Sequence, residues 1–187
     1  MDRLWSPWRL PYILSGAEAR GCIFCDALAG RPTGSGEQTF DQSSLIVFRG
    51  KTCYVILNLY PYNNGHLMVV PNRHIPSLES ATAPELSELI DLTRRSEIAL
   101  TDAYKPHGMN MGINLGKSAG AGVLDHLHMH VVPRWTGDTN FMTVVGETRV
   151  LPEDLTQTAE KLRALFGAGD NGVNGGSGGS SPQSERR

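Results

Sequence analysis

The chain has 187 residues, enough for one domain with one core. Its 17 basic and 19 acidic residues leave a formal charge of −2 with no basic stripe, which argues against nucleic-acid binding. No apolar run approaches the roughly 18–20 residues of a membrane span. Met1–Trp8 lacks a signal-peptide core, and three cysteines speak against a disulfide scaffold, so the expectation is a cytoplasmic protein.

In chain order, Leu45–Phe48 and Cys53–Leu59 read as short strands joined by an Arg49-Gly50-Lys51 hairpin. Leu67–Val70 is an apolar strand, led by an Asn64-Gly65 turn and closed by Pro71. Pro84–Tyr104 carries Leu86, Leu89, Ile90, Thr93, Glu97 and Leu100 at helical spacing, and the charges from Glu85 to Arg95 read as its solvated face. Met109–Leu115 alternates weakly, and Gly116–Gly122 is a glycine-rich loop. Leu127–Val132 is a strand stopped by Pro133, Phe141–Val145 a further short strand, and Leu155–Phe166 a second amphipathic helix. The fold class is α+β, a mainly antiparallel sheet with one long and one C-terminal helix. It divides into a domain over 1–166 and a tail over 167–187, whose seven glycines and scarce apolar residues predict disorder.

The chemistry concentrates in His126-Leu127-His128-Met129-His130-Val131-Val132. Side chains alternate along a strand, so the three imidazoles share one face and Leu127, Met129 and Val131 enter the core. The outer pair is about 13 Å apart by strand rise. That is too far for all three to share an ion at zinc–nitrogen distances of about 2.0–2.1 Å. Nucleophilic catalysis is the better reading: a neutral imidazole attacks phosphorus well, and a covalent phospho-histidine divides one hard step into two. The Gly116–Gly122 loop offers backbone N–H groups to anionic oxygens, without the frame of a Walker loop. Cys22-Ile23-Phe24-Cys25 has the spacing for one tetrahedral ion, with redox chemistry or plain buried thiols as alternatives. Cys53 reads as core, His107 as a loop residue, and Trp5 and Trp8 as packing anchors; Trp135 either packs in the core or flanks a substrate or dimer surface.

These motifs resemble the histidine triad (HIT) superfamily of nucleotide hydrolases and transferases. The triad matches its signature, and Asn58–Pro71 is similar to its second block. The opening Leu4–Arg9, Pro133-Arg134-Trp135 and Gly137–Phe141 resemble its bacterial diadenosine tetraphosphate phosphorylase and ATP adenylyltransferase branch. The resemblance implies a HIT-like fold and a nucleotidyltransferase that cleaves dinucleoside polyphosphates by phosphorolysis through a nucleotidyl-histidine. Hydrolysis or phosphoramidase activity, and a non-catalytic nucleotide-binding zinc module, are the competing readings.

Residue by residue, the resemblance implies that His128 is the nucleophile, that His130 contacts the phosphate or leaving group, and that His126 orients the site. Asn58 stands at a ribose-ligand position, His66 at a structural or nucleotide-side position, and Asn114 where an amide positions the scissile phosphate. Many members carry Gln-Ser or Gln-Thr where this chain has Gly122-Val123. Phosphate contacts then fall to the backbone of the loop, with Gly120 and Gly122, and to Lys117 and Ser118. Lys117, Ser118 and Arg134 are the candidates for a second anion site that would hold inorganic phosphate. The resemblance also implies one structural Zn²⁺ on Cys22, Cys25, His74 and His126, and a homodimer.

Overall fold

A computed structural model of the chain describes residues 21–32, 42–138 and 153–170. The tryptophans at 5 and 8, the Phe141–Val145 strand and the chain beyond 170 lie outside them. Among the described residues five strands form one sheet: β1 (Ile46–Arg49), β2 (Cys53–Leu57), β3 (Leu67–Pro71), β4 (Gly108–Ile113) and β5 (Met129–Arg134). The spatial order is β1-β2-β3-β5-β4, and all four pairings are antiparallel. The hairpin expected at Arg49–Lys51 closes with the Gly50 N–H on the Cys53 carbonyl at 2.8 Å.

Several strand limits differ from the sequence reading: β2 ends at Leu57 and β4 at Ile113, each two residues short of the expected end, and both limits of β5 move. β5 begins at Met129, because the last pairings on its two sides are Val69↔Met129 and Ile113↔Met129. His126, Leu127 and His128 are thus extended chain ahead of the ladder, with the Leu127 N–H taken by the Ile75 carbonyl at 2.6 Å. Nor does Pro133 stop the strand; it pairs with Met109. In an antiparallel ladder a residue's N–H and C=O point the same way, and the Pro133 carbonyl accepts from Asn63 Nδ2 at 3.0 Å. Its missing donor therefore faces the side where β3 has not yet begun, so no ladder bond is lost.

Helices cover both faces of the sheet. α1 (Ile23–Leu28) lies against the face that carries Tyr54, whose hydroxyl donates to the Phe24 carbonyl at 2.8 Å. α2 (Ala83–Tyr104) packs on β2, β3 and β5, and α3 (Leu155–Asp170) packs on β1 and α2, running four residues past its expected end. The buried stripe of α2 is Glu85, Leu89, Leu92, Thr93, Ser96, Ala99 and Leu100, rotated from the expected one, so that Ile90 is 59% exposed. Thr93 and Ser96 are tolerated inside because their hydroxyls donate to the carbonyls of Leu89 and Leu92, each at 2.7 Å. Gly65, at φ +75°, lets the turn before β3 press on this helix, where a Cβ would meet Leu100 Cδ2 at 2.9 Å.

The charges of α2 are not a purely solvated face. Glu85 is buried, completes a capping box with Thr82, and binds Arg73 through both carboxylate oxygens at 2.7 and 2.8 Å. Glu88 accepts the backbone N–H groups of Lys51, Thr52 and Cys53 at 2.5–2.9 Å, clamping the β1–β2 turn onto the helix. Arg95 lies 4.2 Å over the Phe48 ring and donates to the Phe166 carbonyl, tying α2 to β1 and α3.

Candidate active site and metal centre

The histidines occupy the sheet face opposite α2. His130 stands in β5 opposite Met68 and Gly112, and His66 leads into β3. His128 enters just before β5, its ring centroid 4.8 Å from that of His130 and 5.0 Å from Phe24. His66, His126 and His128 are buried.

Backbone groups set the tautomers of His128 and His66, and His66 sets that of His130. The His126 carbonyl accepts from His128 Nδ1 at 2.8 Å, so Nδ1 carries the hydrogen and Nε2 presents the lone pair. His66 Nδ1 accepts the Tyr62 N–H at 3.1 Å and is approached by Asn58 Nδ2 at 3.3 Å. The His66 hydrogen is therefore on Nε2, which donates to His130 Nδ1 at 2.9 Å. His130 in turn carries its hydrogen on Nε2. Two adjacent imidazoles thus hold opposite tautomers, one offering a lone pair and the other an N–H. Burial pushes the His128 pKa below the ordinary histidine range, partly opposed by its bond to the His126 carbonyl, and so favours the neutral ring.

His126 turns its own ring elsewhere. Nε2 donates to the Pro71 carbonyl at 2.9 Å, and Nδ1 faces Cys22 Sγ at 3.2 Å and Cys25 Sγ at 3.6 Å. His74 Nδ1 lies 3.5 Å from Cys25 Sγ. The four ligand atoms of Cys22, Cys25, His74 and His126 are all within 4.8 Å of one another, a set able to hold a metal ion. A tetrahedral zinc with bonds of about 2.1–2.3 Å requires ligand separations of about 3.4–3.8 Å, and the three sulfur–nitrogen separations of 3.2, 3.5 and 3.6 Å are close to that. The His126–Pro71 bond already orients the ring as a metal-bound histidine needs. Burial and the nearby Cys22 sulfur push the Cys25 thiol up to about 11.

Two cavities meet at the triad. One is lined by Ile23, Phe24, Asn58, Tyr60, Tyr62, Met68, Gly120, Gly122, Val123, His128 and His130. The other, of about 370 Å³, lies beside β4 against Tyr62, Asn63, Asn110, Met111, Gly112, Asn114, His130, Val132 and Arg134. His130 and Tyr62 are common to both. Asn58, Gly120 and Gly122 thus come to the His128 cavity, and Asn114 and Arg134 to the other. Asn58 Oδ1 is occupied by the Tyr60 N–H at 2.9 Å. Lys117 and Ser118 sit on an exposed turn and line neither cavity. Arg134 is bidentate to Asp138, at 2.6 and 2.9 Å, and donates to Asn110 Oδ1 at 2.8 Å. Asn110 and Gly112 escaped the sequence reading, because no local motif marks them and only the pairing of β4 with β5 brings them to the site; nor do the motifs that hold Asn63 and Asp138 show that the two bond.

The fold and the paired imidazoles define a histidine triad protein. The HIT domain pattern matches residues 39–137, and the chain belongs to that family. Within it, the chain falls in the diadenosine tetraphosphate phosphorylase branch: it is 44% identical over 162 residues to the AP-4-A phosphorylase of Mycobacterium tuberculosis H37Rv, spanning 87% of this chain and 83% of that one. It is 28% identical over 131 residues to the asymmetrical bis(5'-nucleosyl)-tetraphosphatase of Schizosaccharomyces pombe, covering 70% of this chain and 68% of that protein. Among solved structures, a zinc-bound histidine triad family protein from Mycobacterium smegmatis superposes with a TM-score of 0.62 at 25% identity, over 81% of this chain and 96% of that one. Among the described residues, no helix is long and apolar enough to cross a membrane.

Proposed function

We propose that the protein cleaves dinucleoside polyphosphates such as diadenosine tetraphosphate by phosphorolysis, through a nucleotidyl group carried on His128. The observation that carries the chemistry is the opposed tautomer pair: a lone pair on His128 Nε2 beside an N–H on His130. Nε2 attacks the α-phosphorus, the bridging P–O bond breaks, and its electron pair leaves on the nucleoside triphosphate. The adduct ring is cationic, and the His126 carbonyl on Nδ1–H stabilises that charge. Phosphate then attacks the same phosphorus, forming a nucleoside diphosphate and returning the electron pair to Nε2. The choice of phosphate over water is supported by the 44% identical relative named as a phosphorylase.

Incubation with diadenosine tetraphosphate, with and without phosphate, tests the reading. ADP plus ATP formed only with phosphate supports it; AMP plus ATP, indifferent to phosphate, overturns it. His128→Ala should lose at least about a thousandfold in kcat while keeping its near-ultraviolet circular dichroism, because the covalent step goes and little packing does.

Zn²⁺ is the proposed ion for Cys22, Cys25, His74 and His126; when bound it supplies a closed structural crosslink. A homodimer working in the cytoplasm completes the proposal. Dimerisation is supported by the family resemblance and by β4, the edge strand among the described residues, with Met111 41% exposed. Sedimentation at micromolar concentration should give twice the chain mass, and a monomer would sink the assembly.

A further inference from the structure

We infer that the 370 Å³ cavity beside β4 is one site used twice, first by the leaving polyphosphate of the donor nucleotide and then by the incoming phosphate. The inference rests on the nucleotidyl-His128 reading. Double displacement at one phosphorus dictates the sharing. The leaving oxygen departs opposite the attacking nitrogen, and the next nucleophile must enter opposite the same P–N bond. Whatever binds the acceptor therefore lies where the leaving group lay. His128 lines only the neighbouring cavity, whereas His130 and Tyr62 line both and form the junction. With the reacting phosphorus held between His128 and His130, the β4 cavity is the polar space that remains for the leaving side. Its volume is within the range of small-molecule sites.

The lining suits anions. Arg134 spends three N–H groups on Asp138 and Asn110, leaving two of the five that a guanidinium carries. The Asn110 carbonyl oxygen is held by Arg134, which commits its Nδ2 amide to presenting hydrogens. Asn114 adds a second amide, and no acidic residue is among the described lining residues. The Arg134–Asp138 pair is itself braced by Asn63 Nδ2 on Asp138 at 2.7 Å and by the Trp135 N–H at 3.2 Å, so the donors are fixed before a ligand arrives. Gly112, directly opposite His130, forms part of the wall, and a Cβ added there meets nothing within 4 Å among the described residues. The second anion site falls to Arg134, Asn110 and Asn114, not to Lys117 and Ser118.

In the first half-reaction the triphosphate departs with the electron pair of the broken P–O bond. In the second, hydrogen phosphate forms the new P–O bond, the P–N bond breaks, the pair returns to His128 Nε2, and the phosphate proton goes to solvent.

Two variants test the site. Gly112→Val fills the cavity without steric conflict, and Asn110→Asp keeps the shape and the Arg134 partner while replacing donors by acceptors. The first readout is kcat/KM for diadenosine tetraphosphate divided by kcat/KM for adenosine 5′-phosphoramidate, whose ammonia leaving group does not reach the cavity. The second is KM for inorganic phosphate. Both variants should lower the ratio and raise the phosphate KM, each by about tenfold. A change under threefold in either readout, in either variant, overturns the shared site while leaving the His128 reading in place. Failure of the wild-type protein to turn over the tetraphosphate would instead overturn that reading, and this inference with it.

Discussion

At the scale of single residues, the chemistry is decided by where each imidazole keeps its hydrogen. Sequence alternation puts histidines at 126, 128 and 130, but the three identical side chains are set differently because a backbone carbonyl addresses His126 and His128 while His66, itself fixed by a backbone N–H, addresses His130. The His126 carbonyl takes the Nδ1–H of His128, the Tyr62 N–H occupies Nδ1 of His66, and the Pro71 carbonyl takes the Nε2–H of His126. The relay from His66 to His130 yields a sharp expectation. His66→Leu removes the donor to His130 Nδ1, so the His130 hydrogen no longer has to stay on Nε2. Loss of an oriented donor to developing phosphate charge costs on the order of 10²–10³ in rate, so kcat should fall by about a hundredfold with KM changed far less. A variant within twofold of wild type would show that His66 does not set the His130 tautomer.

At the scale of elements, α2 illustrates how a legible helix keeps its details hidden. Its span was plain from apolar spacing and from Pro84, and its ends agree within a residue. Its buried stripe was not, because Ser96 and Thr93 satisfy their hydroxyls within the helix and Glu85 finds Arg73, a partner twelve residues away. Charge alone placed Glu85 in water. The Arg73 guanidinium, then the Thr82 backbone N–H, hold the Glu85 pKa down at about 2. A carboxylate with a depressed folded pKa contributes stability above its unfolded value of about 4.5, and loses it as pH falls toward 2. Glu85→Gln should therefore destabilise the protein by about 1 kcal/mol at pH 7. The difference in melting temperature from wild type should shrink between pH 4.5 and 2. A difference that stays constant over that range would place the effect in packing instead of charge. The same tertiary override acts on Pro133, which ends a strand in most contexts but continues β5, since its donor-less side faces the Asn63 side chain and no paired strand.

At the scale of the whole molecule, the four metal-site residues come from α1 and its N-cap, the loop after β3 and the chain entering β5, so a bound ion joins three segments that the sheet does not pair. His126 is at once a candidate ligand and, through its carbonyl, the acceptor that sets His128; Phe24 of α1 lies against both rings. Removing Zn²⁺ with a chelator should lower the melting temperature by at least about 5 °C, because the ion binds the folded chain far better than the unfolded one. It should also reduce kcat, since the His126 carbonyl is no longer anchored. An unchanged melting curve after chelation, with metal analysis near zero before it, would refute the zinc assignment.

What the sequence determined by itself was whatever depends on local order: the strands and helices by their periodicity, the Asn-Gly turn, the HxHxH run and the CxxC spacing. Together these sufficed for the α+β class and the family resemblance, and they marked His128 as the candidate nucleophile. Only the tertiary structure decided the tautomers, the burial of Glu85, the clustering of Cys22, Cys25, His74 and His126, and the placing of Asn110, Gly112 and Arg134 along one cavity while Lys117 and Ser118 stay outside it. The reason is physical. Periodicity reports which face a side chain takes on its own element, whereas a hydrogen's position on a ring, a pKa or a cavity wall depends on groups from other elements. Here β4 pairs with β5 and β5 with β3, and that order sets which of those groups meet.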